Sequence, residues 1–169
     1  GLPDWCLTLH LDSAALRNTA PLQPIATAVA DMEGVDAAAR QLFMTVVNEM
    51  FTNSLEHGVL NLNSRLKDSA EGFTAYYEQR ERALANLDDG YVRIELDRFR
   101  DAAGSYLVVR MNDSGHGFNH ERMMAQMNDP ALSKDALSGR GIPLLLRTCD
   151  SLTYRGRGNR VEARLRLSH

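Results

Sequence analysis

Apolar residues recur at helical spacing through the middle of the chain. Over residues 42–58, at about 100° per residue, Leu42, Phe43, Val46, Val47, Met50, Phe51 and Leu55 sweep one broad arc. Thr45, Glu49, Thr52, Asn53 and Glu56 fill the other. The pattern predicts an amphipathic helix over about 36–57, ended by His57-Gly58 with the glycine at the C′ position. Glu49 and Asn53 lie four residues apart, so one turn stacks them on a single face at the border of the apolar arc.

Elsewhere the period drops to two. Residues 5–11 alternate and predict a first strand, and residues 91–99 give the clearest alternation in the chain. Ala102-Ala103-Gly104 returns that strand into residues 105–111, which predicts a hairpin. Residues 151–155 and 161–167 predict two final strands joined by a tight turn at 156–159. A helix is expected over 20–31, entered through Pro21 and Pro24 and closed before Gly34. Residues 61–64 read as loop and residues 68–87 as a further helix. Its Phe73, Tyr76, Tyr77 and Leu84 need cover, and two readings stand level: a solvated helix lying over the fold, or a docking or dimerising element.

Composition narrows the class. The chain has 169 residues, 44% of them hydrophobic, which suits one domain with a sizeable core. A net charge of −3 and a pI near 5.9 supply no basic field for nucleic acid. No apolar run reaches membrane-spanning length. Cys6 and Cys149 lack metal-like spacing and are too few for a disulfide framework, as expected of a cytoplasmic protein. The opening Gly1-Leu2-Pro3-Asp4, without a methionine, is expected of a piece cut from a longer protein.

Three stretches carry candidate chemistry. A carboxylate beside apolar surface can serve as a base, and the amide oxygen next to it suits a hard cation, which singles out Glu49 and Asn53. Residues 108–118 form a β-rich run that ends in Asp113-Ser114-Gly115-His116-Gly117. Its carboxylate can accept a hydrogen bond from an exocyclic amine, and its glycines let the backbone approach a flat ligand. An ordinary turn after a strand has the same composition. In Leu137-Ser138-Gly139-Arg140-Gly141, glycines flank an arginine just before an apolar helical run. Free N–H groups and a guanidinium there make a phosphate cradle, and a plain glycine hinge is the alternative.

In this order, the three stretches resemble the N box and the first and second glycine boxes of the GHKL ATPase superfamily, over about residues 5–167. The E-x-x-x-N-x-x-x-H-G run from Glu49 to Gly58 is similar to that of the anti-sigma-factor serine/threonine kinases of bacterial partner switching. Similar domains also occur fused behind PPM-type phosphatase domains in bacterial response regulators. The resemblance implies the Bergerat ATP-binding fold, an α/β two-layer sandwich with a mixed, mostly antiparallel sheet and helices on one face. It implies ATP and Mg²⁺ as ligands. Asn53 would hold the metal and Glu49 would act as base. Asp113 would take the adenine amine, with Gly115 and Gly117 around the base. Gly139, Gly141 and Arg140 would meet the phosphates.

The partner implied is a STAS-type anti-sigma factor antagonist as substrate, with a sigma or anti-sigma factor or a second copy of the chain as further partners. Neither nucleic acid nor membrane is expected. Residues 61–88 stand as an insertion relative to the small kinases of this group, and residues 119–136 fall where the family has its nucleotide lid. Related kinases carry an arginine where Leu137 stands, which leaves Arg140 as the local guanidinium. Many superfamily members also place a threonine on a late strand, where this chain reads Asn159-Arg160-Val161. A nucleotide-gated module that sequesters a regulatory protein without phosphorylating it is the rival reading. A two-component histidine kinase core fits less well, because His10 falls in a strand and no dimerisation helix precedes it.

Overall fold

A computed structural model describes residues 1–18, 22–115, 149–156 and 158–169. The alternating stretches become strands β1 (Trp5–Asp12), β2 (Tyr91–Asp101), β3 (Gly104–Asp113), β4 (Ser151–Arg155) and β5 (Arg160–Arg166). They form one sheet in the order β1-β2-β3-β5-β4. Every described pairing is antiparallel, in keeping with the mostly antiparallel sheet expected from the sequence. Hairpins between β2 and β3 and between β4 and β5 impose that direction, and β5 then enters beside β3 rather than β4 doing so.

The period of two sorts each strand into faces. Leu11, Val92, Ile94, Leu96, Val109, Met111, Ala163 and Leu165 are buried on the side covered by helices. Arg93, Glu95, Asp97, Arg110 and Glu162 hold alternate positions on the other side. Helices α1 (Ser13–Arg17), α2 (Leu22–Glu33) and α3 (Ala37–Thr52) supply the second layer, with Leu16, Ala26, Val29, Phe43, Val46, Val47 and Met50 buried. Each large side chain so buried contributes about 1.5–3 kcal/mol. No described helix is long and apolar enough to cross a membrane.

Local signals set the start of the central helix. Gly34 takes φ 61° after α2, and the Asp36 carboxylate then accepts the Ala39 N–H at 2.7 Å as an N-cap. The far end departs from expectation. After Thr52 the chain widens into a π-helical segment, Asn53–Val59. The Leu60 N–H reaches the Leu55 carbonyl, and the Leu62 N–H returns to that of Glu56, both at 2.8 Å. Gly58 is not a left-handed cap: the left-handed residue is Asn61, with φ 53°.

Residues 61–88 hold a 3₁₀ turn, Ser64–Asp68, and helix α4 (Ala70–Ala85). Ser69 caps α4 by accepting the Gly72 N–H at 3.0 Å. The domain itself covers Tyr76 and Leu84. Phe73 and Tyr77 pack edge to face on each other and stay half exposed.

Candidate functional site

The site is built where α3 runs out. Glu49 lies half-buried on its last turns, and Asn53 opens the π-helical segment, its backbone N–H still donating to the carbonyls of Glu49 and Met50. The two side chains therefore stay on one continuous helical face, as their spacing requires. Burial pushes the Glu49 carboxyl above its ordinary range; the nearby Lys67 charge opposes this and that of Glu56 adds to it. A carboxylate raised in this way binds a proton more readily, which suits a base.

Asn53 shows a different sign of function. Its Nδ2 is buried without a hydrogen-bond partner, alone in this among the described side-chain atoms. Leaving such a donor unmet costs about 1–3 kcal/mol, so the position calls for a ligand atom. The amide can serve a metal-bound polyphosphate with both ends. Its oxygen suits a hard cation, and its nitrogen can donate to a phosphate oxygen.

The π-helical segment packs against β2 and β3, and this carries it to the end of β3. There Asp113 is buried to 5% exposure, and its carboxylate accepts the Gly115 N–H at 2.8 Å. Burial pushes its pKa up to about 6, against the lowering effect of that hydrogen bond. The strand end is held from β5, since Asp113 N–H donates to the Asn159 carbonyl at 3.0 Å and Asn159 Nδ2 donates back to the Asp113 carbonyl at 3.2 Å. Asn159 thus locks the backbone of Asp113 at the point where a hydroxyl was sought.

Glycine is needed at two places. A Cβ on Gly58 would lie 2.5 Å from Asp113 Cγ, and one on Gly115 would collide with the Gly58 carbonyl. These contacts join the first and second stretches singled out in the sequence. They also show a contribution that periodicity missed, because Gly58 reads as a helix stop until Asp113 is beside it. Glu56, Tyr76 and Lys67 were missed as well. The helical wheel places Glu56 on the polar arc, yet within the π-turn it is only 7% exposed and accepts the Tyr76 hydroxyl.

Gly117, Gly139, Arg140 and Gly141 lie outside the described residues, as do Leu137 and the expected lid at 119–136. A polar groove at the strand ends is lined by His10, Tyr91, Arg93, Glu95, Asn112 and Arg160 and reaches Asp113 and Asn159; neither Glu49 nor Asn53 lines it.

Comparison with known proteins bears on this geometry. The sequence profile of the histidine kinase-like ATPase domain matches residues 13–165. No curated protein matches the chain.

Proposed function

The chain belongs to the histidine kinase-like ATPase domain family, and on that premise we propose that it is an ATP-dependent protein serine/threonine kinase. Family membership implies ATP binding and a kinase-like site. The finer reading takes a STAS-type anti-sigma factor antagonist as substrate, in a bacterial partner-switching pathway in the cytoplasm. One observation carries the kinase reading: a half-buried Glu49 of raised proton affinity stands one turn before an Asn53 amide whose nitrogen is buried and unmet. A module that only bound nucleotide would have no use for that base.

The roles follow from the chemistry of each group. Asp113, ionised, accepts the adenine amino group, and Asn159 keeps its backbone in place. Asn53 would hold Mg²⁺ through its amide oxygen, and the cation would supply the charge neutralisation that is most of what phosphoryl transfer asks of a site. Glu49 accepts the proton of the partner's hydroxyl as that oxygen bonds to the terminal phosphorus of ATP and ADP departs. By the family resemblance alone, Gly117 would border the base and Gly139, Arg140 and Gly141 would meet the phosphates.

Glu49→Gln tests the proposal. It keeps shape and hydrogen-bonding reach while removing the base. Nucleotide affinity should persist, while transfer of labelled phosphate to the partner falls by on the order of a hundredfold. Equal transfer by wild type and variant would show that Glu49 is no base. Tight partner binding with no transfer by wild type would favour the nucleotide-gated binding module instead.

A further inference from the structure

Glu56 lies three residues after Asn53 and two before Gly58, inside the π-helical segment that carries both. It is almost wholly buried, and among the described residues the partners of its carboxylate come from residues 64–85. The Tyr76 hydroxyl donates to Oε1, and Arg80 Nε donates to Oε2 at 3.1 Å. Lys67 Nζ stands 3.5 Å from Oε1 and 4.4 Å above the centre of the Tyr76 ring. Tyr76 and Arg80 are one turn apart on α4, so a single helical face grips both carboxylate oxygens. Tyr76 is itself fully buried, which leaves its hydroxyl little freedom to turn elsewhere.

A π-turn is a costly way to wind a backbone and persists where its surroundings hold it. We propose that the 64–85 segment is a positioning element of the nucleotide site. Through Tyr76, Arg80 and Lys67 it clamps Glu56, and so keeps the π-turn wound with Asn53 and Gly58 in register with Asp113. The inference rests on the nucleotide reading given above and goes beyond it by assigning work to the inserted segment. These residues act through the turn and touch neither ligand nor reacting atoms. When the clamp loosens, the binding-competent turn is populated for less of the time, and apparent affinity falls by that same fraction.

Two readouts test this. In the ligand-free protein, the Leu60 and Leu62 amides report the turn directly, because their acceptors are the Leu55 and Glu56 carbonyls. In Tyr76→Phe these two amides should exchange on the order of tenfold faster, with β2 and β3 amides unchanged. Calorimetry with a non-hydrolysable ATP analogue and Mg²⁺ should show affinity falling by a similar factor. Glu56→Gln then supplies a test of sign. It removes a negative charge close to where a polyanion binds, so charge alone predicts tighter binding, whereas the clamp predicts weaker binding.

Wild-type exchange at Leu60 and Leu62 in Tyr76→Phe overturns the proposal, as does tighter or unchanged binding in Glu56→Gln. Should one variant fail to fold, the other still decides. Nucleotide binding by wild type with unaltered variants sinks the clamp alone. Failure of wild type to bind any nucleotide sinks the nucleotide reading and the clamp with it.

Discussion

Two buried carboxylates meet at the π-turn, Glu56 within it and Asp113 against it, and they are treated in opposite ways. Glu56 and Asp113 are 7% and 5% exposed. Glu56 is met by a hydroxyl and two cations, Tyr76, Arg80 and Lys67. Among the described residues, Asp113 is met by one backbone N–H and no cation pairs with it. Burial is the same, so satisfaction makes the difference. A carboxylate with its partners in place holds structure, because removing any one of them strands a buried charge. A carboxylate buried with most of its acceptor capacity unused is costly to the fold, and the cost makes sense where a ligand donor completes it.

The sharpest way to break this comparison is Asp113→Asn. Burial pushes the folded carboxyl up to about 6 from its ordinary value of 3.8, so the folded state binds the proton more tightly than the unfolded chain. Its stabilising effect is therefore full below about pH 4 and lost as pH rises through about 6. At pH 8 the ionised group costs on the order of 3 kcal/mol, which the amide avoids. Denaturant melts should find Asp113→Asn more stable than wild type at pH 8, and the gap should close toward pH 4. Its ATP affinity should fall by more than about tenfold, with GTP hardly affected, since that base presents a carbonyl where adenine has an amine. A variant no more stable at pH 8, yet fully able to bind ATP, would show that the two carboxylates do not differ as argued.

A smaller effect is expected from Gly58→Ala. The added methyl would stand 2.5 Å from Asp113 Cγ and press the π-turn away from β3. Overpacking of this kind costs about 1–3 kcal/mol, read from thermal or denaturant melts, and nucleotide affinity should drop with it. Retained affinity would mean that this contact does not shape the site. A titration of wild type sharpens the same point without mutation. Protonating Asp113 removes the charged acceptor, so ATP affinity should decline by up to about tenfold from pH 7 to pH 5. Flat affinity over that range would place the adenine elsewhere.

The least effect should come from the open face of the sheet. Arg110 pairs there with Asp97 and with Glu162, all three partly exposed. Arg110→Met should cost about 1 kcal/mol or less, with the difference shrinking in high salt. A larger loss would show that a solvated ion pair can matter as much as the buried cluster around Glu56.

Much of the architecture is legible in the chain because it is local. Period-two alternation marks β2 and β3 and sends Val92, Ile94 and Leu96 inward, since successive side chains must point to opposite faces. Asp36 caps α3 through a side chain three residues from its donor, a contact that any fold would allow. Glu49 and Asn53 share a face for the same reason: one turn of helix decides it. The family profile then places residues 13–165 in a histidine kinase-like ATPase domain.

What stayed hidden depends on contacts distant in sequence. The wheel puts Glu56 in solvent because it assumes a uniform α-helix, and only the π-turn carries it inward to Tyr76, twenty residues away. Gly58 looks like a helix stop, while its smallness answers to a carboxylate on β3. The placement of β5 between β3 and β4 is likewise a matter of pairing and not of period. The sequence by itself determined which faces are apolar, where α3 starts, and that an acid and an amide lie one turn apart. Tertiary structure decided which buried acid the described residues satisfy and which they leave waiting, because a hydrogen-bond partner from another element has no signature in the local pattern.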